Sequence, residues 1–305
     1  MSSTGRRKKD TLTWWQDRIK ILKGLQNEAA ARYAENSVAY EVGPQAISKL
    51  ALLGYFVKVY SDIIKSNFPK ANYVDLFAGS GLTRVDSTGD IVMGSAMLAN
   101  HVPRDTRKFD RLVLFENDPA SAAALRQRVP NAEVVEKDVN SISLTDLLGK
   151  DDAWKVPTLG FVDPEGMAVD WATVEQLLSR WSDVIINYQV EAVRRVAGGA
   201  YGTGYAKKMT RFFGTDEWTQ LGQSDEAYLD LYLRQIRKYK DLVIETRVRG
   251  KGGYFYYMIA AVKKTRGGST WIDSIYRAKD YIEKAGPDLI EQLLDIYRGG
   301  QSTLG

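Results

Sequence analysis

The chain has 305 residues, 44% hydrophobic and 26% charged, with 42 Lys and Arg against 38 Asp and Glu for a net charge of +4. This composition suits a globular protein with one large core and an attached lobe, and it permits nucleic acid as a partner without requiring it. Cysteine is absent and histidine occurs once, at His101, which excludes disulfides, thiolate or His-rich metal sites and any Ser-His-Asp triad built on another histidine.

No run of about eighteen apolar residues occurs, so neither a transmembrane span nor a membrane partner is expected. The first ten residues are polar and basic and do not read as a secretory signal, and the protein is expected to be cytoplasmic. Arg6-Arg7-Lys8-Lys9 reads as a solvated basic terminus, with a phosphate-binding arm as the alternative.

Residues 11–35 predict a helix, with Trp14, Trp15, Ile19, Leu22 and Leu25 near a helical period. A second helix is expected from Pro44 to residue 66, stopped by Phe68-Pro69. Short apolar strands then alternate with helices. Strands are expected at 72–77, 112–115, 133–136, 158–162 and 184–187, and helices at 121–129 and 171–181, with Asp118 or Asn117 capping the first. Residues 83–94 read as an insertion after the first strand.

The alternation breaks over 197–240, where 198–205 reads as a Gly/Tyr-rich loop. Two β-rich runs at 243–248 and 254–262, joined by Gly250-Lys251-Gly252-Gly253, predict an antiparallel hairpin, and two helices follow, around 275–285 and after Pro287. The fold class expected is α/β. It is a Rossmann-like methyltransferase sheet, mostly parallel and ending in an antiparallel hairpin, with N-terminal helices and a helical/loop insertion. The expected organisation is a helical extension (1–70), a cofactor-binding core (71–196), a substrate-side insertion (197–240) and the final hairpin with C-terminal helices (241–305).

Polar and acidic residues collect just after the strands, where open α/β sheets bind ligands. In Asp75-Leu76-Phe77-Ala78-Gly79-Ser80-Gly81, the glycines let backbone N–H groups approach a ligand, and Asp75 suits an ammonium or the loop's own amides. The third glycine of a dinucleotide fingerprint is missing, and the set, Phe77 and Ala78 included, favours S-adenosylmethionine (SAM) as cofactor. Glu116, beside Asn117, suits ribose hydroxyls; the alternative is an acid favoured by a helix dipole. Asp138 suits the adenine amino group with Val139 on the ring, or else it caps a helix beginning near Ser141 or Ser143.

Asp163-Pro164-Glu165-Gly166 is the expected catalytic segment, Asp163 first and Glu165 second. There a carboxylate and a nearby carbonyl would accept the N–H bonds of a target amine and align its lone pair; a strand-ending turn is the alternative. Asn187 and Tyr188 are expected to flank the substrate. Tyr201, Tyr205 and Lys207, with Lys208 and Arg211, mix aromatics and cations as base-stacking and phosphate-binding surfaces do, or form an ordinary mobile loop. Arg194 and Arg195 read as solvated helix residues, with contact to an anionic substrate as the alternative.

The ordered set Tyr73-Val-Asp-Leu-Phe-Ala-Gly-Ser-Gly81, Gly94-Ser95, Phe115-Glu116-x-Asp118, Asp138-x-Asn140, Phe161-Val-Asp163-Pro164-x-Gly166 and Asn187-Tyr188 with Arg194 resembles the three-Cys-motif partner (TcmP) family. Lys49-x5-Tyr55 and Phe213-Gly214-x4-Trp218 fit as well, and the resemblance covers roughly residues 45–275. It implies a Rossmann-like, methyltransferase-like fold, SAM as the cofactor, a bacterial source and a possible protein partner encoded by a neighbouring gene. Two departures stand out: Ser80 where the family has Pro, and Glu165 where it has Phe. The second places another carboxylate beside the reaction centre and puts a direct carry-over of an amine-methylating pocket in doubt.

The expected function is SAM-dependent methyl transfer to a nitrogen of a nucleic acid or nucleobase. One alternative is a methyltransferase-like binding or specificity component without transfer activity. The other is a phosphoesterase with Mg²⁺ on Asp75, Asp138, Asp163 and Glu165. Acids on separate strand ends fit a cofactor better than a metal cluster, so no metal is expected.

Overall fold

A computed structural model describes residues 10–32, 38–86, 89–149, 155–200, 204–264, 269–286 and 288–298. In chain order the elements begin with α1 (Thr11–Arg32), β1 (Tyr40–Val42), α2 (Gln45–Asn67), β2 (Asn72–Asp75), β3 (Leu82–Val85), β4 (Ile91–Met93) and α3 (Ser95–His101). Next come β5 (Arg111–Glu116), α4 (Pro119–Arg128), β6 (Glu133–Glu136), α5 (Leu144–Leu148), β7 (Thr158–Val162), α6 (Trp171–Leu178) and β8 (Ser182–Tyr188). The remainder is α7 (Val190–Ala200), α8 (Tyr205–Phe213), α9 (Asp225–Arg237), β9 (Leu242–Arg249), β10 (Phe255–Val262), α10 (Thr270–Glu283) and α11 (Leu289–Arg298).

The strand residues are apolar on both faces because helices cover both sides of the sheet. Leu112 and Leu114 of β5 join one core with Trp15 of α1, Leu52 of α2 and Trp271 of α10. The intervening Val113 and Phe115 join the opposite core with Val174 of α6, Val193 of α7, Phe213 of α8 and Tyr232 of α9. The period of two along each strand produces this division.

The main sheet runs β6-β5-β2-β7-β8-β10-β9 among the described residues. Pairing is parallel from β6 through β8, and β10 lies antiparallel to both β8 and β9. This is the α/β sheet expected from the sequence, mostly parallel and ending in a hairpin. The chain leaves β2 toward β5 and leaves β7 toward β8, in opposite directions, which opens a crevice at the carboxyl ends between these two strands. Asp118 caps α4, accepting a 2.8 Å bond from the Ser121 N–H, with Pro119 in the first turn.

Three details differ from expectation. Residues 83–94 are not a plain insertion: β3 and β4 form an antiparallel hairpin, and β1 pairs parallel with β3 to make a second, three-stranded sheet. Gly198 and Gly199 lie within α7 rather than in a loop, and Tyr205 opens α8. A Cβ on Gly199 would stand 2.8 Å from the Tyr205 ring, so the absence of a side chain lets that ring reach the helix backbone. After β6, a short 3-10 turn (Val139–Ser141) capped by Asp138 precedes α5, which Ser143 caps.

Candidate active site

The strand β2 ends where the Asp75 carboxylate accepts the Phe77 N–H at 3.1 Å. The chain beyond it is held between its neighbours, with the Leu76 N–H bonded to the Phe161 carbonyl (3.1 Å) and the Ala78 N–H to the Phe115 carbonyl (2.9 Å). Gly79 and Gly81 then adopt φ of 62° and 84°, values that side-chain-bearing residues resist. Ser80 turns inward and is fully buried, its hydroxyl 2.9 Å from the Val38 carbonyl. Arg128 donates to the Ser80 and Val38 carbonyls at 2.6 and 2.7 Å. Serine therefore fastens the turn to the segment entering β1, a bond that proline could not make.

A cleft of about 450 Å³ opens at the carboxyl ends of β2, β5, β6 and β7. Phe77, Ala78, Gly79 and Gly81 form its floor. Glu116, 7% exposed, accepts the Asp118 N–H at 2.8 Å and the Tyr40 hydroxyl at 3.3 Å, with Asn117 beside it. Asp138 and Val139 line the next stretch, and an Asp138 oxygen accepts the Asn140 N–H at 2.9 Å. Asp138 is thus both a turn cap and a wall of the cleft.

Asp75 stands outside the lining. It is fully buried, 3.2 Å from the Tyr73 hydroxyl, so of the two roles open to it, bonding to loop amides is the one its position serves. Burial pushes its carboxyl up to about 7, with hydrogen bonds from Ser95 and the Phe77 N–H pulling the other way and nearby Asp163 adding to the rise.

Asp163, Pro164 and Glu165 occupy the opposite end of the cleft. The Asn187 amide donates to Asp163 Oδ1 at 2.7 Å, and the Lys49 ammonium lies 2.5 Å from Oδ2. Gln189 donates to the Pro164 carbonyl at 2.8 Å. Glu165 is exposed and makes no hydrogen bond or ion pair with a described residue.

The expected substrate-side residues separate. Asn187 holds Asp163 from behind and does not line the cleft. Tyr188 is 2% exposed and belongs to an aromatic core with Phe212 and Tyr232, at ring distances of 6.1 and 5.3 Å. That burial places it in the core and outside the cleft lining. Tyr205 and Lys207 are exposed on α8 and lie outside the cleft lining, and Tyr201 falls outside the described residues. Arg211 of α8 pairs with Asp170, which neighbours the cleft-side turn through the bond from its N–H to Asn140.

Among the cleft residues given no site role in the sequence reading are Tyr40, Gln189 and Lys49, the last of which stood there only as part of a motif. Only Lys49 carried a signal, as a cation among the apolar residues Ile47, Leu50, Ala51, Leu52 and Leu53 of α2. Tyr40 crosses the glycine turn; a Cβ on Gly79 would stand 3.2 Å from its ring.

No protein-family model and no curated protein matches the chain. Among solved structures it is similar to a Legionella pneumophila protein, at 13% identity over 75% of this chain and 91% of that one, TM-score 0.45. It is also similar to an O-methyltransferase from Bacillus cereus in complex with SAH (13%, 80% and 100%, TM-score 0.39). The O-methyltransferase TomG from Streptomyces achromogenes, in complex with SAM, gives 14% identity, 85% and 92% coverage and a TM-score of 0.40. All three TM-scores lie below 0.5.

Proposed function

We propose that this chain is a SAM-dependent methyltransferase that acts on a nitrogen of a nucleic acid or nucleobase. The observation that carries this reading is a single cleft in which the Gly79–Gly81 turn, Glu116, Asp138 and Asp163 follow one another across successive strand ends. The residues fit the cofactor. The glycine turn presents backbone to its amino-acid portion, Glu116 a carboxylate to the ribose hydroxyls, and Asp138 with Val139 an acceptor and an apolar face to the adenine. When bound, SAM supplies a methyl group on a sulfonium.

The chain's own part is alignment. Asp163 and the Pro164 carbonyl have lone pairs left after binding Lys49, Asn187 and Gln189, and they orient the N–H groups of an acceptor amine. Exposed Tyr205, Lys207 and Lys208 on α8 supply aromatic and cationic groups for a nucleic-acid strand. The motif resemblance to the TcmP family accords with this reading. A Mg²⁺-dependent phosphoesterase is less favoured, since no three His, Cys, Asp or Glu among the described residues gather as a metal site.

Calorimetry with SAM on the wild type, Gly79→Arg and Asp163→Ala tests the proposal, alongside transfer of labelled methyl into DNA, RNA and protein pools. Gly79→Arg should abolish binding, and Asp163→Ala should bind SAM but transfer nothing. A folded wild type that gives no heat with SAM overturns it; SAM binding without any labelled pool favours a non-catalytic component instead.

A further inference from the structure

Behind the cleft, across Leu50, lies a second cavity of about 620 Å³ between α1, α2 and α3. Its walls are apolar, with Ile21, Leu50, Ala51, Gly54, Leu98 and Val102 among them. Gly54 leaves space, since the nearest atom to a Cβ there, on Val102, would be 4.0 Å away. Ile21 is 47% exposed, a large apolar side chain left in water at this cavity.

The charges around it are unevenly matched. Lys58 and Asp62 pair with each other at 2.9 Å, and Lys20 and Asp17 also border the cavity. Arg18 is different. Its guanidinium lies over the rings of Trp14 and Tyr55, 4.2 and 4.9 Å from their centres. Among the described residues it gives one hydrogen bond, from Nη1 to the Trp14 carbonyl at 2.7 Å, and it forms a loose ion pair with the Asp17 carboxylate at 3.7 Å. Its Nε is buried with no hydrogen-bond partner. Burial pushes its pKa down, while Tyr55, Asp17 and Tyr281 pull it the other way. A half-buried guanidinium with its Nε–H unpaired and only a loose ion pair to Asp17 gains from a closer anion of matching planar shape.

We propose that this cavity binds an amphiphilic carboxylate, its apolar tail along Leu50, Ala51, Gly54 and Val102 and its carboxylate on the Arg18 guanidinium. The volume is that of a small-molecule site, and apolar walls with a few charged groups at the border are what such sites use to orient a ligand. The proposal does not depend on the methyl-transfer reading.

Calorimetry of the full chain with sodium octanoate, and with 1-octanol and octylammonium as controls, tests it. One octanoate should bind per chain, with both controls weaker by roughly tenfold or more, the scale of a charge-assisted hydrogen bond. Arg18→Met should bring octanoate down to the level of octanol, and Arg18→Lys should retain part of the preference. Gly54→Leu, which fills the cavity and leaves Arg18 in place, should abolish binding of both without lowering the melting temperature. Equal binding of octanoate and octanol by the wild type, octanoate binding undiminished in Gly54→Leu, or no octanoate binding up to millimolar concentration each overturns the proposal.

Discussion

Lys49 on α2 and Asp163 at the end of β7 meet across the cleft, ammonium to carboxylate at 2.5 Å, while Asn187 holds the other carboxylate oxygen at 2.7 Å. The carboxylate is therefore fixed from two sides before any acceptor arrives, which is how a site avoids reorganising during reaction. Replacing Lys49 by Met removes one of these supports without touching the glycine turn. SAM affinity should stay within about threefold, and methyl transfer should fall by about tenfold or more, as expected for losing one charged hydrogen bond. Calorimetry with SAM and incorporation of labelled methyl measure the two separately; equal loss of both would place Lys49 in cofactor binding instead.

The second turn glycine is predicted to matter for stability. Gly81 has φ of 84°, and a Cβ there would stand 3.2 Å from both Leu125 and Met97. Gly81→Ala should destabilise the fold by about 1–2 kcal/mol from backbone strain alone. Urea unfolding reads this directly, and an unchanged midpoint would show that the turn relaxes.

Asp75 makes the stability depend on pH. Unfolded, its carboxyl ionises near 3.8; folded, burial holds the proton until about 7. The folded state therefore binds more protons between these values, and its stability falls as pH rises from about 4 to about 7, then levels off. Asp75→Asn keeps an oxygen acceptor for the Phe77 N–H but cannot ionise. The melting temperature of the variant, relative to wild type, should rise across that window and stay constant above it. A difference independent of pH would mean that Asp75 ionises normally in the folded chain.

Among the described residues the buried Tyr188 hydroxyl has no hydrogen-bond partner, and burial pushes its pKa well above 10. Tyr188→Phe deletes an unsatisfied group and keeps the ring that packs on Phe212 and Tyr232. Stability should rise by about 1 kcal/mol or more, the penalty of an unpaired buried hydroxyl, and SAM affinity should not change. Weakened SAM binding would return this side chain to the site.

The central strands were legible because both faces are buried, so apolar runs mark them, and β7 lies at the bounds expected; the half-exposed edge strand β6 does too. β2 read two residues long, since Leu76 and Phe77 continue the apolar run and only the Asp75 carboxylate, by taking the Phe77 N–H, ends the strand. The small sheet was invisible for the opposite reason. β1 has three residues, mostly exposed, and its partner β3 begins some forty residues later, so no local periodicity announces the pair. Tyr40 was missed with it. Gly198-Gly199 read as a loop because glycine is a poor helix former, whereas the reason for Gly199, the ring of Tyr205, lies on the next helix.

Every residue that lines the cleft lies at or before Gln189, yet the sheet that supports it is completed much later in the chain. β10 covers the outer edge of β8 and is the partner of β9. During synthesis, β8 waits with bare N–H and C=O groups while some sixty-five further residues leave the ribosome, and β9 emerges with nothing to pair to. A chain truncated just before Phe255 would carry the whole cleft lining and still present an open strand edge, the feature that drives intermolecular pairing. Such a fragment is expected to aggregate although it keeps the whole cleft lining.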